Sequence, residues 1–143
     1  MKLTRISRVA QLVSTASFAT LLSAGSDLAA QAAKAASASA KFPLTRPELS
    51  DYAETSRYDD VIAYMKLMAA ANPQIHLKTY GYTYEGRALP LAVIGAPGSS
   101  AAQVIATGKT RVYIQANIHA GEVEGKEAVL WLLRSIAKGE RNE

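Results

Sequence analysis

Apolar residues recur at helical spacing in two stretches of the chain. Ser56, followed three residues later by Asp59, resembles a helix-opening capping box, and Asn72-Pro73 would end that helix. Residues 122–138 form the second stretch, with Gly139 well placed as its C-terminal cap. The spacing predicts an amphipathic helix at each place. Their buried faces would carry Tyr58, Val61, Ile62, Met65 and Met68 in the first helix, and Val129, Leu132, Leu133 and Ile136 in the second.

Between the two helices lie segments rich in β-forming residues. Residues 75–84 and 88–94 flank a Glu85-Gly86-Arg87 turn and are predicted to pair as antiparallel strands. A loop rich in Gly, Ser and Ala follows, and residues 111–118, apolar on both faces, are predicted to form a third, central strand. The order helix, strand, strand, strand, helix favours a layered α/β fold.

The N-terminal residues have the features of an export signal. Residues 1–8 are basic, a short apolar run extends from Val9 to Ala24, and small residues follow through Ala30-Gln31-Ala32. The alternative, a membrane anchor, is disfavoured because the run is interrupted by polar residues and is shorter than the roughly 20 residues of a spanning helix. We therefore predict a signal peptide over residues 1–32 and a periplasmic or extracellular protein with no membrane anchor after cleavage. Cleavage is expected after Ala32, with Ala24 as the alternative.

Residues 33–50 are rich in Ala, Ser and Lys and then carry two prolines, which predicts a flexible lead-in before a domain over residues 51–143. The formal net charge is +4, but residues 1–32 hold three basic groups and one acid, so the remainder is only slightly basic. No stretch clusters Lys or Arg with aromatic residues, which argues against a nucleic-acid partner. The absence of cysteine excludes disulfides and a lipid-modified cysteine anchor.

His119 and Glu122 are the residues most suggestive of chemistry. His119 follows the third predicted strand and Glu122 opens the second helix, with Gly121 between them to let the backbone bend. Ligand sites of open α/β sheets collect beyond strand ends, and imidazole nitrogen and carboxylate oxygen are both good zinc ligands. A Glu in a first helical turn is also explained by the helix dipole alone, so the spacing leaves both interpretations open.

Two segments resemble the M14 family of zinc metallocarboxypeptidases. Residues 117–122, Asn-Ile-His-Ala-Gly-Glu, are similar to the family's first zinc motif, a His-x-x-Glu at a strand end. Residues 81–87, Gly-Tyr-Thr-Tyr-Glu-Gly-Arg, resemble its Gly-x-Ser/Thr-x-Glu-Gly-Arg segment, and residues 56–64 resemble its Tyr-containing opening. The resemblance covers roughly residues 50–140 and implies a three-layer α/β/α fold with a mixed sheet, of which this chain would supply the N-terminal portion.

The resemblance implies one Zn²⁺ per complete site, peptide substrates, and His119 and Glu122 as metal ligands. The family's third ligand, general base and carboxylate-binding arginines would lie beyond residue 143, so no catalytic residue is assigned within the chain. Many members carry an Arg just before the ligand Glu, where this chain has Gly121. His76 is predicted to be a solvent-facing strand residue, Glu127 a helix-start carboxylate, and Arg87 a structural residue paired with Glu85.

Three functions follow from these assignments. The first is a zinc metallocarboxypeptidase of the cell envelope, present here as an N-terminal fragment that is inactive alone. The others are a zinc deacylase of the same fold and a small domain that uses the pair only for binding. The Glu-Gly-Arg segment favours the peptidase, and the apolar third strand, whose edge would be exposed, favours the fragment hypothesis.

Overall fold

A computed structural model describes residues 31–32 and 41–141 of the chain. The signal-peptide prediction and the first part of the predicted lead-in lie outside these residues. Residues 41–141 belong to one compact unit, whose elements are α1 (Arg46–Leu49), α2 (Tyr58–Ala71), β1 (Ile75–Tyr82), β2 (Ala88–Ile94), α3 (Ala101–Ala106) and α4 (Val123–Ala137). Within the described residues no helix combines the length and the apolar character that a membrane span requires.

The two predicted long helices are confirmed as α2 and α4, which pack against each other. Their contact builds the core, in which Met68 of α2 is fully buried. Helix α4 ends as predicted, because Gly139 adopts a left-handed conformation (φ 77°) and its N–H donates to the Ile136 carbonyl over 2.9 Å. The buried hydrophobic residues are Tyr64, Met68, Ile75, Leu130, Leu133 and Ala137.

The predicted helix start at Ser56 is wrong by one residue. Arg57 is the N-cap of α2, and its backbone N–H donates to the Asp60 carboxylate over 2.8 Å. Ser56 instead directs its hydroxyl to a carboxylate of α4, as described below. Ser and Thr hydroxyls serve equally well in caps and in tertiary hydrogen bonds, so the sequence pattern did not distinguish the two roles.

Strands β1 and β2 form the predicted antiparallel hairpin. Ile75 lies opposite Ile94 at one end of the hairpin and Tyr82 opposite Ala88 at the other. The register shifts between Thr79 and Gly81, and Pro90, which has no N–H to donate, pairs at that irregularity. Gly86 (φ 76°) turns the chain between the strands.

The predicted third strand is not formed in the described chain, whose sheet has only two strands. Residues 111–116 have no regular secondary structure, and the apolar side chains of the segment, Val112, Tyr113, Ile114 and Ile118, are exposed. The segment has the composition of a strand, but a strand requires a hydrogen-bonded neighbour. The described residues therefore show an α/β arrangement around a hairpin and are too few to form a three-layer mixed sheet.

Two short helices occupy regions for which the sequence predicted no structure. Helix α3 lies in the predicted Gly/Ser/Ala loop, where the Ser100 hydroxyl accepts from the Gln103 N–H and caps it. Helix α1 lies within the predicted lead-in and is held by Arg134 of α4, whose guanidinium binds the Glu48 carboxylate through both nitrogens. A four-residue helix is stable only through such tertiary contacts.

Candidate metal centre

His119 and Glu122 lie in the turn that leads into α4. Asn117 begins the turn in a left-handed conformation (φ 59°), which Asn tolerates better than most residues. The Glu122 N–H donates to the His119 carbonyl over 3.0 Å and closes the turn. Gly121 lies inside this turn, as predicted, but without a positive φ, and the left-handed residue of the segment is Asn117.

The side chains of His119 and Glu122 face each other. His119 Nδ1 lies 2.8 Å from Glu122 Oε1, and the His119 backbone N–H donates to Glu122 Oε2 over 3.3 Å. The pair is open to solvent, with 79% of the His119 side chain and 53% of the Glu122 side chain exposed. The hydrogen bond from His119 holds the pKa of the Glu122 carboxyl below its usual range, so this group is an anion at neutral pH.

The chemistry of these two donors fits a zinc ion. Imidazole nitrogen and carboxylate oxygen bind zinc at about 2.0–2.2 Å, so two ligands of a tetrahedral ion lie roughly 3.3 Å apart. The observed 2.8 Å between Nδ1 and Oε1 requires only a small separation of two exposed side chains to reach that spacing. The helix N-terminus beside the carboxylate favours its ionised form, which is the form that binds metal.

The described residues do not complete the site. Within residues 31–32 and 41–141 no group of three or more His, Cys, Asp or Glu side chains is placed to hold a metal. His76, the other histidine, is half-buried at the start of β1, and its Nε2 lies 2.9 Å from the Ala96 carbonyl. The predicted place of His76 on a strand is confirmed, but its side chain is only partly exposed, and its ring is already engaged by the backbone.

Glu127 has a tertiary role that was not predicted from the sequence. Its carboxylate accepts hydrogen bonds from the Thr55 hydroxyl (2.6 Å), the Ser56 N–H (2.6 Å) and the Ser56 hydroxyl (2.8 Å). Burial of the carboxyl raises its pKa. The three hydrogen bonds and the charge of neighbouring Lys126 together lower it by more, so the pKa of Glu127 lies below its ordinary value. Glu127 is thus a structural anion. The hydroxyl-bearing residues Thr55 and Ser56 before α2 are the sequence feature that accompanies this contact. Because such residues also cap helices, their presence alone did not indicate a partner in α4.

Arg87 takes the structural role predicted for it. Its Nε lies 3.0 Å from a Glu85 carboxylate oxygen, and its guanidinium carbon lies 5.5 Å from the centre of the Tyr58 ring. The Tyr58 hydroxyl in turn donates to the Ala88 carbonyl over 2.9 Å. The Glu-Gly-Arg turn is therefore attached to the start of α2.

Two open cavities occur elsewhere in the described unit, with volumes of about 350 and 770 Å³. The smaller is lined by His76 and Lys109, and the larger lies between the hairpin and residues 99–112. Neither is lined by His119 or Glu122. The exposure of both side chains places the pair on an open surface of the described chain.

The model of the zinc carboxypeptidase family, Peptidase_M14, matches residues 61–143 of the chain. The match includes both segments singled out above, residues 81–87 and 117–122. No curated protein matches the chain.

Proposed function

This chain belongs to the zinc carboxypeptidase family, Peptidase_M14, and we propose that it is the N-terminal part of an exported metallocarboxypeptidase in which His119 and Glu122 are two of the zinc ligands. Membership of the family makes a peptide hydrolase the expected kind of enzyme and zinc the expected metal. The observation that carries the assignment of ligands is the 2.8 Å approach of His119 Nδ1 to Glu122 Oε1 within the matched residues.

The chain's own residues contribute metal binding rather than proton transfer. A zinc ion bound in such a site polarises a carbonyl group and lowers the pKa of bound water. Glu122 supplies negative charge, His119 supplies a neutral donor, and the turn closed by the Glu122 N–H keeps both side chains on one surface. Catalytic zinc commonly has three protein ligands, so the third ligand, the general base and the groups that bind the substrate carboxylate are proposed to come from outside these 143 residues. Those additional residues would also complete the three-layer mixed sheet.

A non-catalytic binding module is the second candidate, and one observation favours it for the chain by itself. The described residues bring together two metal ligands on an exposed turn, with no third ligand beside them. We therefore expect weak zinc binding and no peptidase turnover from these 143 residues. No feature of the described residues favours the deacylase. The Glu-Gly-Arg segment, in which Arg87 contacts Glu85 and the Tyr58 ring, remains the feature that favours the peptidase.

Zinc binding to single-residue variants tests the ligand assignment. Zinc affinity is measured for the 143-residue chain by competition with a chromophoric chelator, and then for His119→Ala, Glu122→Gln and the matched control His76→Ala. His119→Ala is expected to lose the site and Glu122→Gln to bind zinc more weakly. The control is expected to retain the wild-type affinity, because the His76 ring is bonded to the Ala96 carbonyl. Mg²⁺ is expected not to compete, since it prefers an all-oxygen octahedral shell. Unchanged zinc affinity in His119→Ala would remove the basis of the proposal.

Export is tested by the N-terminal sequence of the protein recovered from cells that express the gene. Cleavage after Ala32 gives a mature chain that begins at Ala33, found in the periplasm or the medium. Protein that keeps Met1 and stays in the cytoplasm contradicts this part of the proposal.

A further inference from the structure

The first two turns of α4 are attached to the residues that precede α2 by a group of polar side chains. Two members, Thr55 and Ser56, precede α2, and the other two, Lys126 and Glu127, lie in α4. We propose that these four residues, called the α4 clamp, position Glu122 for metal binding, with Glu127 as the principal positioning residue. The inference rests on the proposed function, because it assigns the clamp to the same metal site.

The clamp contains several hydrogen bonds and is largely shielded from solvent. Beside the three bonds that Glu127 accepts, Lys126 Nζ donates to the Thr55 hydroxyl (3.0 Å) and to the Ser56 carbonyl (2.5 Å). The Lys126 and Glu127 side chains are only 17% and 16% exposed and lie 3.4 Å apart. Hydrogen bonds that involve charged groups are about twice as strong as neutral ones, so the clamp fixes this end of α4 more firmly than an ordinary surface contact would.

The start of α4 needs such a support because its own cap is missing. Glu122 is the N-cap residue, but its side chain makes no capping hydrogen bond and faces His119 instead. A helix whose first N–H groups have no side-chain acceptor tends to fray at that end. Glu127 lies five residues further along, about 7.5 Å along the helix axis, so the clamp supports the turn directly behind the ligand.

A second contact ties the same turn to the segment that carries His119. Gly125 lies against Ala116, so closely that a Cβ at position 125 would stand 3.4 Å from the Ala116 Cβ. The Ala116 contact holds the segment that leads to His119. The clamp holds the part of α4 that follows Glu122. Around metal sites, groups hydrogen-bonded to the ligands change metal affinity about 10–100-fold when they are altered. The clamp acts through the helix backbone and not on a ligand directly, so a smaller effect is expected from it.

The test compares Glu127→Ala with Glu124→Ala in the 143-residue chain. Both changes remove one carboxylate from the start of α4, but Glu124 is exposed and is not part of the clamp. The first readout needs no metal: ¹⁵N relaxation of the backbone amides of residues 119–123. Increased motion is expected in Glu127→Ala and not in Glu124→Ala. The second readout is zinc affinity by chelator competition, expected to fall by up to about tenfold in Glu127→Ala, the lower end of the range for groups that contact metal ligands, and to change little in the control.

Two further variants separate positioning from a general loss of stability. Met68→Ala weakens the core without touching the clamp, so zinc affinity that falls equally in Met68→Ala and Glu127→Ala would overturn the inference. Glu127→Gln keeps one acceptor oxygen and is expected to restore part of the lost affinity. If Glu127→Ala does not fold, Ser56→Ala, which removes only the 2.8 Å bond to Glu127, is expected to show the same two changes in smaller size.

The outcomes distinguish this inference from the proposed function. Wild-type protein that gives no zinc response at His119 contradicts the proposed function and with it the metal role of the clamp. Wild-type protein that binds zinc at His119, together with a Glu127→Ala variant of normal affinity and normal motion at residues 119–123, contradicts the clamp alone.

Discussion

The ion pair between Glu48 and Arg134 gives the most quantitative prediction. Arg134 donates to Glu48 Oε2 over 2.7 Å and to Glu48 Oε1 from its second nitrogen, and the two side chains are 7% and 18% exposed. The Thr45 backbone N–H also donates to this carboxylate, over 2.7 Å. The hydrogen bonds from Arg134, opposed by burial and assisted by Thr45, lower the pKa of Glu48 to about 2.

The shift predicts how the attachment of α1 depends on pH. The folded-state pKa of Glu48 is depressed from 4.5 to about 2, so the carboxylate stabilises the folded unit fully above pH 4.5, and this contribution is lost as the pH falls from there towards 2. At 1.36 kcal/mol for each pKa unit, the full contribution at neutral pH is about 3 kcal/mol. Glu48→Gln also leaves the buried Arg134 charge without its partner, which acts in the same direction.

The assay is a ¹³C titration of the Glu48 side-chain carboxyl combined with amide hydrogen exchange at Ser50, whose N–H donates to the Arg46 carbonyl over 3.1 Å. The titration midpoint is expected near 2, and Glu48→Gln is expected to raise Ser50 exchange at pH 7 by about 100-fold, the equivalent of about 3 kcal/mol. The effect of the variant is expected to shrink as the pH falls from 4.5 towards 2, because the unfolded wild-type carboxyl is protonated in this range and the folded pair itself is lost only near pH 2. A midpoint above 4, or an effect of the variant that is the same at pH 7 and pH 3, would refute the reasoning.

Three other predictions concern packing, association and catalysis. Met68→Ala, at a fully buried position, is expected to lower the free energy of unfolding by about 2–5 kcal/mol; a loss below about 1 kcal/mol in urea denaturation contradicts the proposed core. The exposed apolar segment 111–118 is expected to make the chain self-associate, and Ile114→Lys is expected to reduce this in analytical ultracentrifugation more than Ile105→Lys, whose position lies outside the segment; a monomeric wild-type chain or equal effects of the two variants contradict a special role for that segment. The 143-residue chain saturated with zinc is expected to show no hydrolysis of a blocked dipeptide, and measurable turnover would contradict the incomplete site.

The elements that were predicted correctly from the sequence are those determined by residues close together in the chain. The spacing around Met68 and Leu133 indicated α2 and α4, and the Glu85-Gly86-Arg87 turn indicated the hairpin. These predictions succeeded because each depends on neighbouring residues: helical periodicity in the first case and turn chemistry in the second.

The elements that depend on distant partners were not predictable in this way. Residues 111–118 have the composition of a strand, but pairing depends on a neighbour that the described residues do not supply. Helix α1 forms because Arg134, far along the chain, binds Glu48. The carboxylate partner of Ser56 lies 71 residues away in the sequence, at Glu127.

For the candidate site, residue types and spacing identified the His119–Glu122 pair, and the structure added its 2.8 Å geometry. The left-handed conformation of Asn117, the bonding of His76 to Ala96 and the clamp behind Glu122 could not be predicted from residue types and spacing. Each of these features depends on backbone conformation or on a tertiary hydrogen bond, and neither leaves a periodic pattern in the sequence.

The central claim is that zinc binds at His119, and the ring nitrogens of the two histidines test it directly. In the 143-residue chain labelled with ¹⁵N-histidine, zinc titration is expected to shift the His119 ring signals and to leave those of His76 in place, since the His76 ring is bonded to the Ala96 carbonyl. Glu122→Gln is expected to weaken the response at His119, because it removes the negative charge of the second ligand. Equal shifts at both histidines, or no shift at His119 at zinc concentrations that saturate the wild-type chain in chelator competition, would contradict the account.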